Sequence, residues 1–344
     1  MPFVNNRASM GYIGFVKLGT SIIRATSCDI KTSQEITYPE VVDGRTDSTL
    51  YQLGPKVTGG TVAFPLVHDT ASGSCIAESA TPNLPADNIV SKIWGLAVRR
   101  DSTGRLQTFD SFVRYTDSLS YKYPACMVNS LTFTMAQSDA VQASLDIWGG
   151  ATDGGVDRER PISDNTLEYL SPARTITWND AIVALFGIGG TSILGKELRE
   201  FAVTINNNLE RFYTLNGSLS AFDIAPKKRE ISGTLKIIGH NPNLTAYAET
   251  NDSRFTSEAQ IGFGFKIGGQ NAAPYWATGL NGVIFEIEEV AIATGLFETS
   301  TKWRATGRCD ASGAAYDATY LGRAGALSQG AYGTKSITAP TYSG

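Results

Sequence analysis

Apolar and polar residues alternate with a period of two along much of this chain, the mark of strands with one buried and one wetted face. In "SLTFTMAQSDAVQASLDIWGG", Leu131, Phe133 and Met135 fall on one side and Ser130, Thr132 and Thr134 on the other. After a short polar turn, Val141, Ala143, Leu145 and Ile147 resume the apolar side, so an antiparallel hairpin is predicted. "EISGTLKIIG" repeats the arrangement, with Ile231, Gly233, Leu235 and Ile237 opposed to Ser232, Thr234 and Lys236. So does "VIFEIEEVAIATGLFETSTKWRATGRCD", whose second strand sets Trp303 and Ala305 against Lys302, Arg304 and Thr306. Helical signals are fewer. "PADNIVSKIWGLAVRR" (85–100) starts a helix at Asp87 or Asn88, and "NPNLTAYAET" (241–250) holds a short one.

One outline occurs twice. "GFVKLGTSIIRATSCDI" and "ALFGIGGTSILGKELREFAVTI" share Gly-Thr-Ser-Ile. Each leads through a strand and a long polar loop to a Pro-Lys step, Pro55-Lys56 in one and Pro226-Lys227 in the other. A Gly-Thr strand and a helix candidate follow in both, and hairpins at 126–149 and 283–308 close the two copies. A duplicated β domain is the reading. The polar, glycine-rich stretch 149–174 is the expected linker between copies. The division expected is 1–160 for a first domain with an N-terminal arm, 161–310 for a second, and 311–344 for a Gly/Ala-rich C-terminal arm.

Composition narrows the function. With 344 residues and 42% hydrophobic content, the chain can bury a core in each copy. A net charge of -4 argues against gripping nucleic acid as the main task, because phosphate neutralisation needs a basic surface. Cys28, Cys75, Cys126 and Cys309 are scattered without a CxxC pair, so reduced thiols are expected and no metal site. No run of about 18 apolar residues occurs, which leaves no candidate membrane helix. The N-terminus lacks the pattern of a secretory signal, and no lipid-facing aromatic girdle is visible, so a porin is disfavoured.

Candidate chemistry is sparse. "GGTSILGKE" matches the start of a phosphate loop through Gly190, Gly195 and Lys196, but Glu197 stands where a magnesium-binding hydroxyl belongs. A strand pattern follows it instead of a helix, so a turn between strands is expected. Glu286 and Glu288 share one face of an alternating stretch while Phe285 and Ile287 take the other, which leaves the carboxylates solvated. "PKKRE" places Lys227, Lys228 and Arg229 at the end of a long loop, where charges mark a solvated tip or meet an acidic neighbour. No GxSxG or Ser–His constellation exists, and neither catalysis nor a cofactor is expected.

"GPKVTGGTVAFPL", "CMVNSLTFTMAQSDAVQASLDIWGG" and above all "REFAVTINNNLERFYTLNGSLSAFDIAPKKREISGTLKIIG" resemble the tail tube proteins of long-tailed bacteriophages. The resemblance spans most of 12–310 and rests on strand patterns. It implies β-sandwich or barrel domains, each with a short flanking helix and a long inter-strand loop. In the two-copy version, three chains form a pseudo-sixfold ring, sheets join side by side between neighbours, and stacked rings make the channel for phage DNA. A tail terminator or baseplate hub ring is the alternative within that fold. The implied partners are other copies and other tail proteins: a sheath if the tail contracts, tape measure, terminator and baseplate. Double-stranded DNA would pass transiently and no part would insert in a membrane. The implied location is the virion tail, assembled in the host cytoplasm. On this reading Glu286 and Glu288 are candidates for the channel wall, a role that pairing with Arg304 would remove. Asp43, Arg45 and Asp47 in the loop 38–56, with Lys227, Lys228 and Arg229 ending the loop 209–228, are candidates for contacts between rings.

Overall fold

The computed structural model describes residues 15–19, 21–39, 50–67, 89–98, 105–116, 119–149, 160–162, 175–186, 192–193, 198–215, 219–239, 260–266, 275–280, 282–286, 289–291, 298–305, 308–309, 315–316 and 323–324. The front part contains β1 (Phe15–Leu18), β2 (Ser21–Ile23), β3 (Ser27–Cys28), β4 (Lys31–Thr37), β5 (Gln52–Pro65), helix α1 (Ile89–Val98), β6 (Phe109–Thr116), β7 (Leu119–Ala136), β8 (Gln142–Gly149) and β9 (Arg160–Ile162). After a 3-10 turn at Trp178–Asp180 come β10 (Ala181–Phe186), β11 (Ser192–Ile193), β12 (Leu198–Asn206), β13 (Leu209–Phe212), β14 (Asp223–Pro226), β15 (Glu230–Ile238) and β16 (Gln260–Lys266). The rear part continues with β17 (Tyr275–Leu280), β18 (Val283–Phe285), β19 (Glu289–Ala291) and β20 (Glu298–Ala305). Three two-residue strands follow, β21 (Arg308–Cys309), β22 (Ala315–Tyr316) and β23 (Arg323–Ala324).

Alternation predicts the faces correctly. Leu131, Phe133, Met135, Val141, Ala143, Leu145 and Ile147 are all buried, and so are Ile231, Leu235, Ile237 and Trp303. Lys302 and Arg304 face out. Helix α1 buries Val90, Ile93, Trp94 and Ala97, a stripe with helical spacing. The second helix expected, at 241–250, lies outside the described residues, as do the linker residues 150–159 and 163–174. Within the expected linker, Arg160–Ile162 is strand β9, paired to β7 through Ser120↔Ile162 and Lys122↔Arg160.

The ladders recur in the same order in the two parts. β2–β1–β6 matches β11–β10–β16, and the pairing of β6 with the start of β7 matches β16–β17. β4–β5, β5–β8 and β8–β7 match β12–β15, β15–β20 and the pairing of β20 with β18 and β19. Even the irregularities coincide. β4–β5 slips between Gln34 and Ile36, and β12 breaks from β13 at Asn208, whose φ of 50° puts it in the left-handed region. β7–β8 slips after Val128, and β18 gives way to β19 after Phe285. Just before these, Ala125 (φ 50°) and Gly282 (φ 62°) take the same unusual conformation.

The two parts do not sit as separate sheets. β12 pairs antiparallel with β7, Phe201 facing Met135, Val203 facing Phe133 and Ile205 facing Leu131. This joint makes one path, β18-β20-β15-β12-β7-β6-β1-β2, across both parts. A second sheet, β11-β10-β16-β17-β23, presents Phe263 and Phe265 to it. Between the layers runs a chain of rings. Trp94 stacks on Phe133 at 6.1 Å and meets Phe263 edge-on at 5.6 Å, and Phe201 lies 5.5 Å from Phe263 and stacks on Trp303 at 5.8 Å. Such pairs add about 0.5–1.5 kcal/mol each beyond the area they bury. The result is a sandwich, with its aromatic core directly beneath the joint.

Gly233 shows how tightly that core is built. A Cβ there would stand 2.0 Å from the Ala202 carbonyl oxygen and 2.3 Å from the Trp303 ring. Gly233→Ala is therefore expected to cost about 2–4 kcal/mol, read as a lowered urea midpoint at unchanged far-UV circular dichroism. A midpoint equal to wild type would contradict this packing.

Candidate functional site

Two hairpins project from the sheet, and they differ in what covers them. The β4–β5 tip exposes Ile36, Tyr38, Leu50, Tyr51 and Leu53, with Tyr38 63% and Tyr51 69% exposed. The stretch 209–228, expected as a loop, instead holds the hairpin β13–β14. It folds because Leu209 and Ile224 bury themselves against Leu106, Met127 and the side of Trp148, all from the front part. Its outer end exposes Phe212, Tyr213, Leu215, Leu219 and Phe222. Exposed aromatic and aliphatic clusters of this kind mark contact surfaces.

Polar contacts pin this second hairpin down. Arg211 donates from Nη2 to the Thr58 carbonyl at 2.6 Å, and its guanidinium sits 4.0 Å from the centre of the Trp148 ring. The Lys56 amide donates to the Leu219 carbonyl at 2.7 Å. Arg105 pairs with Asp223 at 2.5 Å. Thr132 and Thr204 hydroxyls meet at 3.0 Å across the β7–β12 joint.

A buried network lies at the end of the joint. Asn207, fully buried, donates from Nδ2 to the carbonyls of Ala97 at 2.9 Å and Val128 at 3.0 Å. Its Oδ1 accepts from Arg229 Nε at 3.0 Å, while Arg229 Nη2 donates to the Val98 carbonyl at 2.7 Å. Rear-part side chains thus satisfy the last carbonyls of the front-part helix α1, groups that have no partner within the helix. Asn129 supports the same corner, donating to Asp146 at 2.6 Å and accepting from the Leu209 amide at 3.0 Å.

This places the residues singled out earlier. Lys227 and Lys228 are exposed as expected, and Lys227 pairs with Glu210 at 2.9 Å. Arg229 turns toward the α1 carbonyls and Asn207, and through these bonds it braces the fold. Glu286 faces solvent beside buried Phe285 and lies 3.8 Å from Arg304, which is exposed as well. Asp43, Arg45, Asp47 and Glu288 lie outside the described residues. Of the phosphate-loop look-alike, Ser192 and Ile193 form β11, and the chain enters strand β12 after it. Of the thiols, Cys126 is buried and donates to the Tyr123 carbonyl at 3.3 Å, Cys28 is half-buried, and burial pushes the Cys28 thiol up.

Among the described residues no group of three or more His, Cys, Asp or Glu side chains is placed to hold a metal ion. No described helix is long and apolar enough to cross a membrane. The described surface offers strand edges and apolar hairpin tips, which are means of joining chains. Comparison with known families agrees: residues 10–289 match the family model described as phage tail tube protein. The chain belongs to that family. Its members are structural tail components, so this tail tube family member is a virion protein built on a mainly β fold. No curated protein matches the chain.

Two tests follow from these contacts. Asn207→Ala leaves two buried carbonyls without a donor and is expected to cost about 2–4 kcal/mol, whereas Arg229→Ala costs about 2 kcal/mol. Both would be read by urea unfolding, and Lys228→Ala, at an exposed site, should stay within about 0.5 kcal/mol of wild type. The second concerns the cluster joining β12, β15 and β20. Lys236 sits 2.9 Å from Glu298 and 3.5 Å from Glu200, and Arg199 also contacts Glu298. The hydrogen bond from Lys236, with help from Arg199, holds Glu298 below its ordinary 4.5, and the same bond holds Lys236 above its ordinary 10.5. A lowered acid contributes stability above its unfolded value and loses it as pH falls through the folded one; a raised base does the reverse. Stability from this cluster is therefore full between those two values and declines outside them. Glu298→Gln should flatten the acid limb of a urea-midpoint profile, and an unchanged limb would show that the cluster does not couple to folding.

Proposed function

We propose that this chain is the major tail tube subunit, that its front and rear parts are tandem copies of one tube domain, and that three chains close a pseudo-sixfold ring. Rings of this kind stack into a tube whose bore carries phage DNA into the host. The observation that carries the reading is the β7–β12 joint. Inside one chain it already joins the sheet of one part edge to edge with that of the next. The matching order of ladders, with slips and left-handed residues at corresponding places, supports tandem duplication. A closed ring leaves no open edge, and stacking is a head-to-tail operation that does not close and so builds a filament.

In this assembly the apolar tip of β13–β14, with Lys227 and Lys228 near its base, is offered to an adjacent ring. The loop carrying Asp43, Arg45 and Asp47 is proposed for the same contact. Terminator, tape measure, baseplate and any sheath would be the heterologous partners, and assembly would take place in the host cytoplasm. The channel needs no affinity for DNA, which accords with the net charge of -4.

Negative-stain microscopy and native mass measurement of the purified chain test this. Three chains per ring, six lobes around the hole and stacks of rings are expected. Rings that never stack would point to a terminator, and a chain that remains monomeric at all concentrations would refute the proposal.

A further inference from the structure

Each half of the internal joint has a counterpart that no described strand covers. The ladder slips align the two parts residue by residue. Ile36 faces Leu53 just after the first slip, and Leu209 faces Pro226 just after the second, so Ile36 corresponds to Leu209. Two residues on, Tyr38 corresponds to Arg211, and five residues back, Lys31 corresponds to Thr204. In the same way Val128↔Ile147 corresponds to Phe285↔Trp303, and Thr132↔Ser144 to Glu289↔Ser300. The neighbours of these pairs follow: Met127 corresponds to Ile284, and Trp148 to Arg304.

Buried groups at the joint therefore map onto exposed ones at the two ends of the chain. Leu209, Ile224 and Met127 are packed together, while their counterparts Ile36, Tyr51 and Ile284 are 48%, 69% and 47% exposed. The Arg211–Trp148 cation–π contact has the counterpart Tyr38 and Arg304, with donor and ring exchanged and both side chains exposed. The Thr204–Thr132 pair has the counterpart Lys31 and Glu289, which are of opposite charge. Among the described ladders, β3 and β4 bond only to β5, and β18 and β19 only to β20, so no described strand takes the edges needed for the same pairing.

We infer that the β18–β19 edge of one copy receives the β3–β4 edge of a second copy in the register of the β7–β12 joint, with Lys31 opposite Glu289, Tyr38 over Arg304, and Ile36 and Tyr51 against Ile284. This rests on the proposed ring and specifies its closing contact. Each copy carries one half of the contact at its front and the other at its rear, so the interface is head-to-tail and self-propagating until it closes. An opposite-charge pair directly across antiparallel strands is favourable, and a like-charge pair in that place is not.

Charge reversal in the full-length chain tests the register. K31E sets two carboxylates opposite each other and E289K two ammonium groups; each should weaken the contact about tenfold, and K31E/E289K should restore it. I284D should abolish rings while leaving the monomer's circular dichroism and melting temperature as in wild type, because Ile284 is already exposed in the single chain. Assembled fraction is read by light scattering after gel filtration and by ring counts in negative stain. Wild-type rings that persist unchanged in K31E and I284D, or a double variant no better than the singles, would overturn this contact and leave the ring itself standing. A wild-type chain that forms no rings would instead remove the ring reading, and this contact with it.

Discussion

The antiparallel joint between β7 and β12 is the constraint on which the rest of the molecule depends. It brings together strands that lie far apart in sequence, and it does so with matched faces: Phe133, Leu131 and Met135 beside Val203, Ile205 and Phe201. The inward rings then have only one place to go. Trp94 and Phe263 close over Phe133 and Phe201, which anchors helix α1 and the second sheet at the same point. Sheet pairing also disposes of two strand edges that would otherwise template association with any available strand.

Polar chemistry decides the precise fit at this joint, where hydrophobic area alone would tolerate slippage. A one-residue slip of β12 against β7 would turn Phe201 to solvent while Phe133 stayed inside. It would also tear Asn207 from the Ala97 and Val128 carbonyls, to which it donates from a buried position. Unpaired buried groups are costly, so this network selects one register among several apolar ones. Arg229 extends the same lock to the C-terminal end of α1, and Arg211 does so for the β13–β14 hairpin through Thr58 and Trp148.

Among the described residues, the strand edges are paired in the middle of the chain and unpaired at its front and rear. The hairpin of the rear part rests on the front part, whereas the hairpin of the front part, with Tyr38 and Tyr51 exposed, rests on nothing within the described residues. This asymmetry is what a structural member of the phage tail tube family requires. Each unit must be stable enough to exist alone and must still carry unused edges and apolar tips that repay contact with another copy.

Alternation along single strands was enough to identify the β class, the 130–147 hairpin, the buried faces of β15 and β20, and the helix within 85–100, because burial of one face is a local pattern. The recurrence of Gly-Thr-Ser-Ile was likewise visible without coordinates, whereas the ladders set Pro226 level with Leu53 and so do not align the two Pro-Lys steps. Which strands become neighbours was not, since a period of two specifies the face a residue takes but says nothing about the strand beside it. Hence the β7–β12 joint went unseen, and 209–228 read as a loop although Leu209 and Ile224 make it a hairpin. Those two residues gain burial from Leu106, Met127 and Trp148, which lie at a distance in sequence. The inward bonds of Arg229 were illegible for the same reason. Within Lys-Lys-Arg it looks solvated, and only the arrival of the α1 carbonyls and Asn207 gives its charge a better partner than water.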